Sequence, residues 1–244
     1  MTMRIVLKAL IATTMLGVGA PALGQEVIVT AQRRGYNNND ASYSNGIVAT
    51  SRPIINLKRT ADYAVQTVRV VGDARDGKTR RDDLRATIRN MIAGAGKAGV
   101  ELATGDYVLA PLTLASYETL SFAGDGRPDT DQTSFLVKVR LTPGMDIGAA
   151  KAQIARFVAA VSTVGRSQVS AMGDLTLSVV NPDQYRGQII DLIAADAAAS
   201  AAKFGTGSGV DVTGLDRPVE WARGGPTEVF LFLPSTYTVR KNRP

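Results

Sequence analysis

Eight successive residues, Gly72-Asp73-Ala74-Arg75-Asp76-Gly77-Lys78-Thr79, match the G-x-x-x-x-G-K-[ST] spacing of a phosphate-binding loop. Such a loop wraps phosphate oxygens in backbone N–H groups and sends its lysine to the β- and γ-phosphates. The match follows a predicted strand and precedes a predicted helix, which is the required context. Two of its own residues oppose the chemistry, because Asp73 and Asp76 would set negative charge beside the anion. No apolar strand elsewhere ends in the acidic residue that would hold Mg²⁺: residues 135–141 run into Thr142, and 229–233 into Pro234. A P-loop nucleotide hydrolase is therefore the weakest of three functional alternatives. The competing reading is a charged loop leading into a helix cap.

Other chemistry is scarcer still. Gly94-Ala95-Gly96-Lys97-Ala98-Gly99 has the G-x-G-x-x-G spacing, but it follows a helix where a dinucleotide site needs a strand, so it reads as a helix stop. Asp125, Asp129 and Asp131 share one loop without the downstream Glu of an EF-hand, and they read as a surface turn. The chain contains no Cys and no His, which removes thiol nucleophiles, Ser-His-Asp triads and nearly every zinc site. No catalytic, cofactor-binding or metal-ligating residue is assigned, and the expectation is a protein that is not an enzyme and carries no cofactor. The net charge of +6 is spread over scattered basic pairs, Lys58-Arg59 and Arg80-Arg81, without interleaved aromatics, so nucleic acid is not an expected partner.

The elements that would position these residues follow from periodicity. Residues 1–24 read as a signal peptide: Arg4 and Lys8, a short apolar run, then small residues at Ala22 and Gly24. The expected compartment is the periplasm, and no later stretch is long and apolar enough to span a membrane as a helix. Residues 25–45 are rich in turn formers and are expected to be a flexible N-terminal segment, followed by one domain over 46–244. Residues 63–71 alternate as a strand. Leu84, Ile88, Met91 and Ile92 make a helical stripe behind a capping pattern at Thr79-x-x-Asp82. Strands are expected at 47–57, 107–122, 134–141, 175–180, 210–221 and 228–239, with further helices at 147–164 and 181–204. The order β-β-α-β-β-α-β-α-β-β predicts an α+β fold, a largely antiparallel sheet or sheets with three helices packed on one face.

Several segments, in order, resemble the SIMPL-domain family of bacterial periplasmic proteins over residues 47–240. They are Thr60-Ala61-Asp62-Tyr63-Ala64, the strand Gln132-Thr133-Ser134-Phe135-Leu136-Val137-Lys138-Val139, the step Leu177-Ser178-Val179-Val180-Asn181-Pro182-Asp183, and Ala194-Ala195-Asp196-Ala197 with Ala201-Ala202-Lys203-Phe204 and Gly209-Val210. The resemblance implies export, an α+β fold, ring-like or channel-like self-assembly in some members and links to envelope or oxidative stress. It implies no catalytic residues. The sequence departs from the family pattern at Ala198, where a basic residue is usual, and in an enlarged loop at Thr206-Gly207-Ser208.

Function is thus expected in a surface, with homo-oligomerisation or an envelope protein as partner. The Ala-rich helix and the apolar last strand point to an interface carrying Ala198, Ala201, Phe230 and Phe232, with Pro234 confining that strand to a sheet edge. A second alternative lies in residues 26–34, Glu-Val-Ile-Val-Thr-Ala-Gln-Arg-Arg, which resemble a TonB box. Val27, Val29 and Thr30 would then add a strand to a partner's sheet and make the protein an accessory of outer-membrane uptake.

Overall fold

A computed structural model describes residues 25–29, 54–106 and 108–241. The expected signal peptide, Thr30 and most of the expected strand 47–57 lie outside the described residues. The fold is α+β. Its strands are β1 (Glu26–Val29), β2 (Leu57–Thr60), β3 (Tyr63–Gly72), β4 (Glu101–Thr104), β5 (Val108–Pro111), β6 (Asp131–Arg140), β7 (Ser167–Val180), β8 (Ser208–Thr213), β9 (Glu220–Arg223), β10 (Glu228–Phe232) and β11 (Thr236–Lys241). The helices are α1 (Gly77–Ala95), α2 (Ile147–Ala159) and α3 (Arg186–Ala202).

Three long strands form the frame. β3 pairs antiparallel with β6 from Tyr63↔Arg140 to Gly72↔Asp131, and with β7 from Tyr63↔Ser178 to Gly72↔Ser167. Their alternation puts Val68, Val70, Phe135, Val137, Val139 and Leu177 on one face, in a single core with Leu84, Ile88 and Met91 of α1 and Ile154 and Phe157 of α2. Burying each such side chain favours folding by about 1.5–3 kcal/mol before the entropy of ordering is set against it. Helix α1 starts one turn earlier than the capping pattern suggests. Asp76 is its N-cap, accepting from Thr79 N at 2.8 Å, because an aspartate directly ahead of the first turn meets two donors at once.

At one end of the frame the sheet closes. β1, β5 and β4 curl around to give a six-stranded barrel in the order β1-β5-β4-β6-β3-β7, with β1 bonded on both edges. The β4–β5 hairpin turns at Gly105, whose φ of 116° is open to glycine and where a Cβ would meet Val108 O at 2.0 Å. The four described residues after Gln25 in the expected flexible segment are thus a barrel strand: Val27 and Val29 are buried in the main core, β7 pairs with the strand along its whole length, and β5 pairs with Glu26 and Val27.

The C-terminal part makes a three-stranded sheet, β2-β10-β9, and a two-stranded sheet, β11-β8, on which α3 packs. The two long strands expected at 210–221 and 228–239 are each broken in two. Gly214, at φ 82°, separates β8 from β9, and Pro234 separates β10 from β11. Among the described residues no helix is long and apolar enough to cross a membrane.

Candidate functional site

The barrel end collects the most unusual side chains of the molecule. Opposite the helix-facing core, β6 carries Leu136, Lys138 and Arg140; β3 carries Tyr63 and Val65; β7 carries Ser178; β4 carries Glu101 and Ala103; and β1 carries Glu26 and Ile28. In a closed barrel that face is the interior. Ile28, Ala103 and Leu109 form a small apolar plug there, with Leu136 packed on it. Beside the plug sits Lys138, only 5 % exposed. Its ammonium pairs with Glu26 Oε2, lies 3.3 Å from Glu101 Oε2, and stands 4.0 Å from the centre of the Tyr63 ring. Ser178 Oγ donates to the other Glu26 oxygen at 2.5 Å. Tyr63 O–H donates to Glu101 Oε1 at 2.9 Å and accepts from Arg140 Nη2 at 2.6 Å.

Two acids and two bases balance, and each member is bonded to another. That is the condition under which a charge can be buried at all. Burial first, and then the hydrogen bond to Glu101, push the Tyr63 phenol up to about 12. At neutral pH it is therefore a fixed donor, unable to act as a base. Glu101 and Arg140 lie at the exposed rim while Lys138 and Ser178 are sealed beneath. The bonds run between β1, β3, β4, β6 and β7 and hold these five strands in one register.

Asp62 anchors the corner below. Its Oδ1 accepts from Arg59 Nη2 and its Oδ2 from Val180 N, each at 2.8 Å, while its backbone bonds Ser178 O and Leu141 N. Arg59 also stacks over the Tyr185 ring at 4.3 Å. Asn181, at φ 45°, ends β7 and donates its N–H to Gln25 O, and Asp183 Oδ1 accepts from Val219 N. Three segments that stand out in the sequence, around Asp62, Lys138 and Asn181, therefore meet at one end of the barrel.

The sequence-predicted site residues scatter. Of the expected interface, Ala198 is exposed on α3, whereas Ala201 is buried. Phe230 and Phe232 are buried as well: β10 is the central strand of its sheet, with β2 on one side and β9 on the other, and Pro234 lies beyond its end. The expected edge is thus an interior strand, because residues 57–60 cover it. Val27 and Val29 are equally occupied within their own chain, and Trp221 Nε1 donates to Ile28 O at 3.2 Å. The phosphate-loop match is also internally engaged. Asp76 takes the helix N-terminus where a phosphate would sit, Lys78 pairs with Asp82 at 2.7 Å, and Arg166 holds Asp73. In the acidic loop, Asp125 bonds Arg127 and Thr130, and Asp131 bonds Arg80, so their oxygens meet the chain's own donors.

One surface that stays apolar and open is on α3. Leu192 is 40 % exposed and Phe204, just past the helix, 67 %. Between them Ala195, Ala198, Ala199 and Ala202 are also exposed. Ala198 and Ala202 line a shallow groove completed by Gly205, Thr206, Gly207 and Ser208. Sequence reasoning found the alanines. It missed the barrel cluster, for which the available signal was a lysine in the middle of Phe135-Leu136-Val137-Lys138-Val139. No family model and no curated protein matches the chain.

Proposed function

We propose that this is an exported, non-enzymatic protein of the cell envelope, of SIMPL type, that works by self-association through the outer face of α3. The observation that carries the reading is the exposed run Leu192, Ala195, Ala199, Ala202 and Phe204, at helical spacing and at the helix exit, with small side chains that let a second copy approach closely. The barrel cluster, internally satisfied, supports a structural task for the charged residues and leaves function to this surface. Of the interface expected from sequence, Ala198 remains; Phe230 and Phe232 are replaced by Leu192 and Phe204.

Light scattering on the purified protein beginning at Gln25 is the test. A dimer or larger ring at micromolar concentration is expected, with Phe204→Ser and Ala198→Arg each shifting the mass toward one chain while leaving the circular dichroism spectrum unchanged. A single-chain mass for the unsubstituted protein at high concentration, or a larger mass that neither substitution lowers, overturns the reading.

A further inference from the structure

The barrel is closed by its most remote strand. β1 contributes four residues, and residues 30–53, 24 in all, separate it from the next described one. What it contributes is specific. Without β1, the edges of β7 and β5 lose their partner, Lys138 loses the carboxylate bonded to it most closely, Ser178 loses its acceptor, and the places of Val27 and Val29 in the core are empty. An open slot of this kind is a strand-acceptor site. It accepts an extended segment with a carboxylate at the first position and branched apolar side chains after it.

We propose that this slot also takes β1 from a second copy of the chain, so that the protein can exchange N-terminal strands. Every contact in the slot is the same whichever copy supplies the strand, so only the connecting segment and the concentration choose between them. Twenty-four residues reach about 80 Å when extended, against a diameter of roughly 45 Å for a domain of this size. A neighbour's slot is therefore within range. The chain's own β1 competes at an effective concentration on the order of millimolar. Exchange therefore grows with protein concentration. It uses the barrel end and does not rest on the α3 surface.

The chain has no cysteine, which makes the test direct. Val27 and Val179 face each other across β1 and β7, as do Ile28 and Ser178 on the opposite side. Val27→Cys protein is mixed with Val179→Cys protein near millimolar concentration and oxidised, and the Ile28→Cys and Ser178→Cys pair is treated in the same way in case one pair fails to fold. The expected result is a shift from one-chain to two-chain mass on a non-reducing gel, rising with concentration, with the 27–179 or 28–178 disulfide identified by peptide mass. It should persist in the Phe204→Ser background, which separates it from association through α3. The inference is overturned if both mixtures stay at one-chain mass, whether the double variants Val27→Cys/Val179→Cys and Ile28→Cys/Ser178→Cys close within single chains or do not close at all.

Discussion

The barrel end and the outer face of α3 invert each other's chemistry. At the barrel end a lysine, two glutamates, a tyrosine and a serine converge, and the lysine and serine are hidden from water. On α3 a leucine, a phenylalanine and a row of alanines face it. A buried charge is tolerated only with its partners in place, so the first region stands or falls as a unit. Scattered apolar side chains on a helix cost little in the monomer, so the second region can be changed freely without unfolding anything. The charges of the barrel end are paired with one another, whereas the exposed apolar side chains of α3 face water.

Three substitutions sharpen that contrast. Lys138→Ala should have the largest effect. It strands Glu26 in the barrel and is expected to destabilise the protein by about 3–5 kcal/mol in urea unfolding. The double variant Lys138→Met/Glu26→Leu should recover most of that loss; if it is no better than the single one, the pair is not what matters. Tyr63→Phe removes two hydrogen bonds to charged groups and is expected to cost about 1–3 kcal/mol near neutral pH. The same residue has an alkaline signature. Its folded value near 12 lies above the ordinary 10.0, so the unfolded chain releases the proton first. Its contribution is complete below pH 10 and is lost as pH rises from 10 through about 12. Ultraviolet titration should show a late-ionising phenolate that Tyr63→Phe abolishes, and the wild-type protein should lose its stability advantage over the variant across that window. Leu192→Ser should have the smallest effect, within about 0.5 kcal/mol in the same unfolding assay. A large loss there would mean that α3 is packed rather than open.

How much of this was legible depended on the distance over which a residue finds its partner. The stripe Leu84, Ile88, Met91 and the alternation of residues 63–71 are local patterns, and both elements form, the helix starting one turn earlier than its capping pattern suggests. Lys138 was read as one more residue of an apolar strand because its partner, Glu26, is 112 residues away. Phe232 reads as an edge position because Pro234 is visible nearby, while β2, which covers the other side of β10, lies far earlier in the chain than any local pattern reaches. β4 went unseen because Glu101-Leu102-Ala103-Thr104 is too short to show a period. The α+β class survived these misses, since it depends on the mix of helices and hairpins rather than on which strand pairs with which.

The position of β1 also has a consequence in time. It precedes the other described strands on the ribosome, yet Ser178, on the β7 strand that pairs its whole length, follows Glu26 by 152 residues. At about 5–20 residues per second, the interval is roughly 8–30 s. Throughout it, Val27, Ile28 and Val29 are an extended apolar segment without their main partner. The earliest described strand is thus among the latest to be satisfied. A chain halted before Val180 cannot close its barrel, and leaves that segment to whatever captures unpaired strands.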